Sequence, residues 1–340
     1  MLAEAKVEAV HLLVRGLAEY SPKIAKSTHL EQKPGATLQS AQDLDRNTRE
    51  FNESARHYFT VYETSMSPKK KAEAVICLSQ ELINAGSFRQ AREFLKRSKA
   101  LALELTPRDR TLLQAQAEGK LGWIADYELG FSEELVRFKR SRDILEEIPE
   151  ESWGAKEKEL YSTSYHFSGR ARVGLADAGV DREANINLAK ECFINARHLD
   201  EELDVPTINE KVGHGYAWEG RCYLRSRETG LAKDAIQKAL DHFFRHHDQF
   251  PQAQIMAHYH MLIGEAYLWW EDYLRARGNF QKAVEIRGGG KGIYPKDTAD
   301  ALGGIAAAYW KEGKIKRAAP YFIKAVRANP KILFKGLLGG

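Results

Sequence analysis

The chain has little cysteine, no long apolar run and no excess of one charge sign. Its three cysteines, Cys77, Cys192 and Cys222, lie 115 and 30 residues apart in a chain of 340. That spacing excludes a disulfide framework and close metal-ligand pairs, and leaves buried, reduced thiols. No stretch approaches the roughly 18 uninterrupted apolar residues of a membrane span. Glu4, Glu8 and Arg15 interrupt the first apolar positions, which argues against a secretory signal and makes the cytoplasm the expected location. Lysine and arginine number 51 against 47 acids, a net charge of +4, so neither sign dominates. Sustained apolar/polar alternation and Asn-Gly turns are also missing, which leaves few strands to expect.

What remains is a folded, water-soluble composition, 43% apolar and 29% charged, with strong helical periodicity. Proline cannot continue a helix interior, so its spacing marks where helices stop. Pro68, Pro107, Pro149, Pro206, Pro251, Pro295 and Pro330 are separated by 39, 42, 57, 45, 44 and 35 residues. Each gap holds two helix-length amphipathic segments, the pattern of a helical-repeat array.

The last gap carries the most specific motif. Small Ala306 is followed by Tyr309, Gly313, Ile315, Ala318, Phe322, Ala325 and Pro330. This resembles the tetratricopeptide repeat, a unit of about 34 residues in which small side chains let two antiparallel helices approach and large ones fill the gaps. The register recurs in Gly264, Tyr267, Tyr273, Ala276, Phe280 and Ala283, and in Gly220, Tyr223, Ala232, Ile236 and Ala239. It recurs again in Ser79, Leu82, Gly86, Phe88, Ala91, Leu95 and Ser98, with serine at two small positions. A weaker copy centres on Gly122, Phe131, Phe138 and Ser141, with Glu134 in place of alanine. After Gly169, residues Ala189, Phe193 and Ala196 fit if about eight residues are inserted between the helices. The first small positions, 79, 122, 169, 220, 264 and 306, are 43, 47, 51, 44 and 42 apart, so the repeats are lengthened.

The resemblance implies an all-α, right-handed superhelical solenoid of about six helical hairpins. Residues 67–333 form the array, 1–66 an amino-terminal helical cap and 334–340 a tail. The cap is expected from amphipathic spacing in Val10, Leu13 and Leu17 and in Leu44, Phe51, Ala55, Tyr58 and Tyr62. Pro320, inside a second helix, predicts a kink or a late helix start.

Sites for chemistry are weak. His242 and His246 have an i, i+4 spacing but no HExxH, and solvated histidines at a helix end account for them. The glycines of IRGGGKGIYP lack the Ser or Thr of a phosphate loop and read as a linker. Glu146, Glu147, Glu150 and Glu151 have no partnering nucleophile and read as a solvated face. No catalytic residue, cofactor or metal is assigned, and the chain is read as a non-enzyme.

In the family, chosen positions of each first helix line an inner groove that binds extended peptides. Carried onto this sequence they are Asn84, Trp123, Tyr127, Arg170, His214, Arg221, Arg225, Glu265, Trp269, Trp310 and Lys311, with Gln80, His166 and His258 beside them. Arg170, Arg221 and Arg225 would either pair with carboxylates of an acidic protein or peptide partner or form internal salt bridges. The implied role is an interaction scaffold or a peptide-sensing module. Nucleic acid is the disfavoured alternative, resting on eight basic residues against Glu312 between Lys311 and the end, where an ordinary solvated face accounts for the charge. Self-association through the apolar KILFKGLLGG would give a homo-oligomer.

Overall fold

A computed structural model describes residues 51–84, 87–128, 130–203, 205, 208–249, 255–286 and 295–328. These residues hold thirteen α-helices and no strand. They are α1 (Phe51–Thr64), α2 (Pro68–Asn84), α3 (Phe88–Ala102), α4 (Pro107–Tyr127), α5 (Phe131–Leu145), α6 (Ala155–Asp177), α7 (Arg182–Glu201), α8 (Ile208–Arg225), α9 (Thr229–Gln249), α10 (Ile255–Trp269), α11 (Tyr273–Ile286), α12 (Pro295–Lys311) and α13 (Ile315–Ala328). A short 3-10 turn, Glu150–Ser152, follows α5. The helices fall into two compact units that divide after residue 235, within α9.

Three of the four described prolines of the spacing begin an α-helix, whereas Pro149 precedes the 3-10 turn after α5. Pro68, Pro107 and Pro295 are the first residues of α2, α4 and α12, where the missing N–H is one that no helix bond would use. Thr106 caps α4 by accepting from the Asp109 N–H at 3.2 Å. Pro206, Pro251, Pro330, the linker glycines 288–290, the cap residues before 51 and the carboxyl tail lie outside the described residues.

In the first unit, α1 packs on α2, burying Ala55, Tyr58 and Val61. Tyr62 and Phe59 meet Phe94 edge-on at 5.8 and 6.0 Å. The serines that replace small residues, Ser79 and Ser98, are fully buried. Each hydroxyl donates to its own helix, to Val75 O at 2.7 Å and Leu95 O at 2.6 Å, so burial leaves no donor unmet.

One contact rule explains the repeat motif. A Cβ at Gly122 would lie 2.6 Å from the Phe138 ring, one at Gly169 2.7 Å from Phe193, and one at Gly264 2.8 Å from Phe280. Each glycine sits in a first helix and each phenylalanine in the second, so hydrogen is the side chain that lets the ring lie against the backbone. The far side of each ring meets the next first helix. Phe138 stacks on Phe167 at 5.1 Å and Phe193 on Trp218 at 5.4 Å. In the second unit Phe280 meets Gly304, where a Cβ would fall 2.5 Å from the ring.

Two expectations are corrected. The extra residues of the Gly169 repeat are not an insertion between the helices: α6 and α7 are 23 and 20 residues long and joined by only 178–181. Gly179 (φ 83°) and Asp181 (φ 35°) take left-handed conformations and turn the chain tightly, so the added length goes into the helices. Nor does Pro320 delay its helix. α13 begins at Ile315 and continues through the proline, which is exposed.

The α6–α7 pair contains a buried carboxyl that makes stability depend on pH. Asp200, 5% exposed, accepts a 2.5 Å hydrogen bond from Ser162, and burial raises its pKa to about 6 despite that bond and the positive charge of Lys211. Glu159 and Glu201 add to the rise. Because the folded value lies above the ordinary 3.8, Asp200 contributes fully below pH 3.8, and that contribution is lost as pH rises through about 6. Asp200→Asn keeps an acceptor for Ser162 without the charge. It is expected to gain on the order of 2 kcal/mol over the wild type between about pH 4 and pH 7.5 in urea unfolding. A difference that stays constant with pH would refute this.

Candidate functional site

The predicted groove residues of the first unit ride on α2, α4, α6 and α8, where they join a connected stripe. Gln80 donates to Asn84 at 2.8 Å and accepts from Lys120 at 2.6 Å. The Lys120 ammonium also lies 4.6 Å above the Trp123 ring, and Trp123 meets Phe167 at 5.1 Å. Arg170 stands over Phe167 at 4.8 Å and Trp218 at 5.7 Å, and Arg221 over Trp218 at 4.6 Å. Cations thus stand against aromatic faces along three successive first helices, α4, α6 and α8, with the amides of α2 at one end.

The arginines have internal partners. Arg225 holds Asp177 through two bonds of 2.9 and 2.7 Å, and Arg170 holds Asp126 at 3.0 Å. Arg221 lies 3.8 Å from the same Asp177. These pairs join successive first helices, not the two helices of one repeat, because the long α6 carries Asp177 level with α8. Among the described contacts, Lys120, Arg170, Arg221 and Arg225 share the stripe with the carboxylates of Asp126 and Asp177.

His166 and His214 sit between the charged ends, their rings 5.8 Å apart, and His166 also meets Phe193 and Trp218 edge-on. Burial, helped by His214, Arg170 and Lys211, pushes the His166 pKa well below its usual range, so this ring is neutral at physiological pH. Tyr127 turns elsewhere: its ring packs on Phe88 at 5.4 Å and against the first apolar core.

Glu265, Trp269, Trp310 and Lys311 belong to the second unit. Glu265 and Trp269 are half-buried on α10, whereas Trp310, 50% exposed, and Lys311 are open on α12. Beside them Glu312 pairs with Arg277 and accepts from Lys314 at 3.2 Å, while Arg277 lies 4.6 Å over Tyr309. His258 and His246 lie outside the described side chains.

Sequence reasoning missed Phe167, Trp218, Lys120, Asp126 and Asp177. The two acids carried a signal: Asp126 to Arg170 is 44 residues and Asp177 to Arg225 is 48, close to the 47 and 51 that separate the first small positions of the same repeats. Among the described residues no three histidine, cysteine or acidic side chains converge to hold a metal, and no helix is long and apolar enough to cross a membrane.

Residues 299–332 match the family model for the tetratricopeptide repeat. No curated protein matches the chain in sequence. Among solved structures, the apo form of RapI superposes with a TM-score of 0.59 at 12% identity, covering 96% of this chain and 99% of that one. Aspartyl phosphate phosphatase F from Bacillus subtilis gives 0.59 at 13% identity over 89% of this chain and 70% of that one. A Rap protein complexed with competence and sporulation factor gives 0.58 at 14%, over 88% and 79%. At such identities the likeness is one of fold. The last hairpin is thus a tetratricopeptide repeat by sequence, and the chain is an all-α protein of tetratricopeptide-like helical hairpins.

Proposed function

We propose that the chain is a non-catalytic interaction scaffold that holds an extended acidic segment of a protein or peptide along the stripe on α2, α4, α6 and α8. The observation that carries this reading is the run of cations set against aromatic faces from Lys120 to Arg221. A peptide laid there meets guanidinium groups for its carboxylates and rings for its apolar side chains. Incoming carboxylates compete with Asp126 and Asp177 for Arg170 and Arg225, so binding trades one ion pair for another and depends on the aromatic contacts for its net gain. The solved Rap complex with competence and sporulation factor supports a bound partner on this fold. Trp310 and Lys311 are proposed contacts of the second unit, and the cytoplasm is the proposed location.

Selection of peptides from a displayed random library tests the proposal. Peptides enriched on the wild type are expected to be acidic and to bind the Trp123→Ala, Arg221→Ala variant at least about tenfold more weakly. Their affinity should fall with salt and be unchanged by Arg92→Ala, which removes an exposed pair with Glu128 outside the stripe. Equal binding by the stripe variant would place the interaction on another face.

A further inference from the structure

The turn between α5 and α6 borders a half-open cavity that shares no residue with the stripe. It has a volume of about 310 Å³, and its walls include Glu146, Ile148, Glu150, Trp153, Tyr161 and Leu199. That is the lower end of the range for ligand pockets, roughly 300–1,000 Å³, and suits one side chain better than a larger molecule.

Its chemistry is one-sided. The Trp153 and Tyr161 rings stand 4.8 Å apart at 57°, a corner that presents two π faces. Their polar hydrogens are already used: the indole N–H donates to Ile148 O at 2.9 Å and the Tyr161 hydroxyl to Glu146 Oε1 at 2.7 Å. The first bond fixes the indole against the turn. The second orients the Glu146 carboxylate at the edge of the aromatic corner. The cavity therefore offers ring faces and carboxylate oxygens but no side-chain donor, a set that attracts a cation and repels an anion.

Three nearby cations are committed elsewhere. Arg108 holds Glu157 at 2.7 Å and Ser152 O at 2.9 Å, and Lys158 holds Glu202 at 2.8 Å. Arg142 donates to Ser164 O and Ser168 Oγ at 2.9 and 2.8 Å and covers Tyr165. Among the described residues, none forms an ion pair with Glu146 or Glu150, or with Glu147 and Glu151 beside them. Glu157, Glu202 and Glu201 are each ion-paired, so the unpaired negative charge at the mouth of the aromatic corner stands out.

We propose that this cavity binds an arginine side chain of a protein partner, its guanidinium plane stacked on Trp153 and its N–H groups donating to Glu146 and Glu150. Ile148 and Leu199 supply apolar wall for the side chain's methylenes. Arginine fits better than lysine because a planar fork stacks on an indole and bonds two carboxylate oxygens at once, whereas an ammonium does one or the other.

The test is titration of the full chain, labelled with 5-fluorotryptophan, with Nα-acetyl-arginine methylamide at millimolar concentrations. Fluorine NMR provides the readout, and Trp153→Phe assigns the resonance. The expected result is a saturable shift of the Trp153 resonance, with affinity at least about tenfold lower for the neutral citrulline analogue and for Glu146→Gln, Glu150→Gln. Both replaced residues are exposed, and glutamine still accepts from Tyr161, so the double variant tests charge and not folding. A Trp153 resonance that does not move, equal affinity for citrulline, or unchanged affinity in the double variant would overturn the site. Equal affinity for the lysine analogue would overturn the guanidinium assignment.

Discussion

Phe280→Ala is expected to destabilise the second unit by about 3–5 kcal/mol, and Gly264→Ala by about 1–3 kcal/mol, although alanine is the better helix former. The ring is 1% exposed and held between two backbones, with Gly264 on α10 and Gly304 on α12 each closer than a real Cβ allows. A methyl group at either position must push the ring, and the ring has no free side to move toward. Gly278 is the control. It lies within α11, is exposed, and has nothing within 4 Å of where its Cβ would be. Gly278→Ala therefore shows intrinsic propensity alone and should stabilise by about 0.5–1 kcal/mol. Urea unfolding, with amide exchange followed over 273–311, separates the cases. If Gly264→Ala and Gly278→Ala moved in the same direction, the glycine-to-ring contact would not be what holds the hairpins together.

That contact also shows how far the sequence could be read. Gly122 with Phe138 and Gly264 with Phe280 are 16 residues apart within single hairpins, so the family resemblance already named both residues of each pair, though not their contact. The Gly169–Phe193 pair follows the same rule at a longer spacing. There the missing information was where added residues go, and Gly179 and Asp181 in the turn were the signal that the turn stays short. The second face of each ring was less legible. Phe167 and Trp218 sit on the following first helix, and a register built from single repeats has no term for contacts between repeats. The same gap hid Asp126 and Asp177. Each is an unremarkable acid near the end of a helix until the next repeat brings an arginine alongside.

Arg197→Met should cost about 3–5 kcal/mol, far more than an exposed ion pair, because of what it leaves behind. Arg197, on α7, donates to Glu219 of α8 at 2.7 Å and to Glu201 at 2.9 Å, and lies 4.5 Å over the Tyr216 ring. A Cβ at Gly215 would fall 2.9 Å from the Arg197 Cβ, so glycine lets the two helices close over this pair. Glu219 is 4% exposed, and burial already raises its pKa even with Arg197 holding it charged. Methionine keeps the stem and removes the charge, leaving a carboxylate that must be buried ionised or protonated. With the folded value raised further above the ordinary 4.5, the variant's deficit should be smallest in acid and grow as pH rises above that value. Adding Glu219→Gln should recover much of the loss at neutral pH, giving a coupling that a double-mutant cycle measures. A deficit that is flat with pH, or additive with Glu219→Gln, would show that packing and not charge makes the joint. Trp218, Arg221 and Arg225 lie on another face of α8, so the pair that fixes this helix also fixes the stripe. Arg197→Met is accordingly expected to weaken binding of stripe-selected peptides, and Glu219→Gln on top of it to restore that binding together with stability.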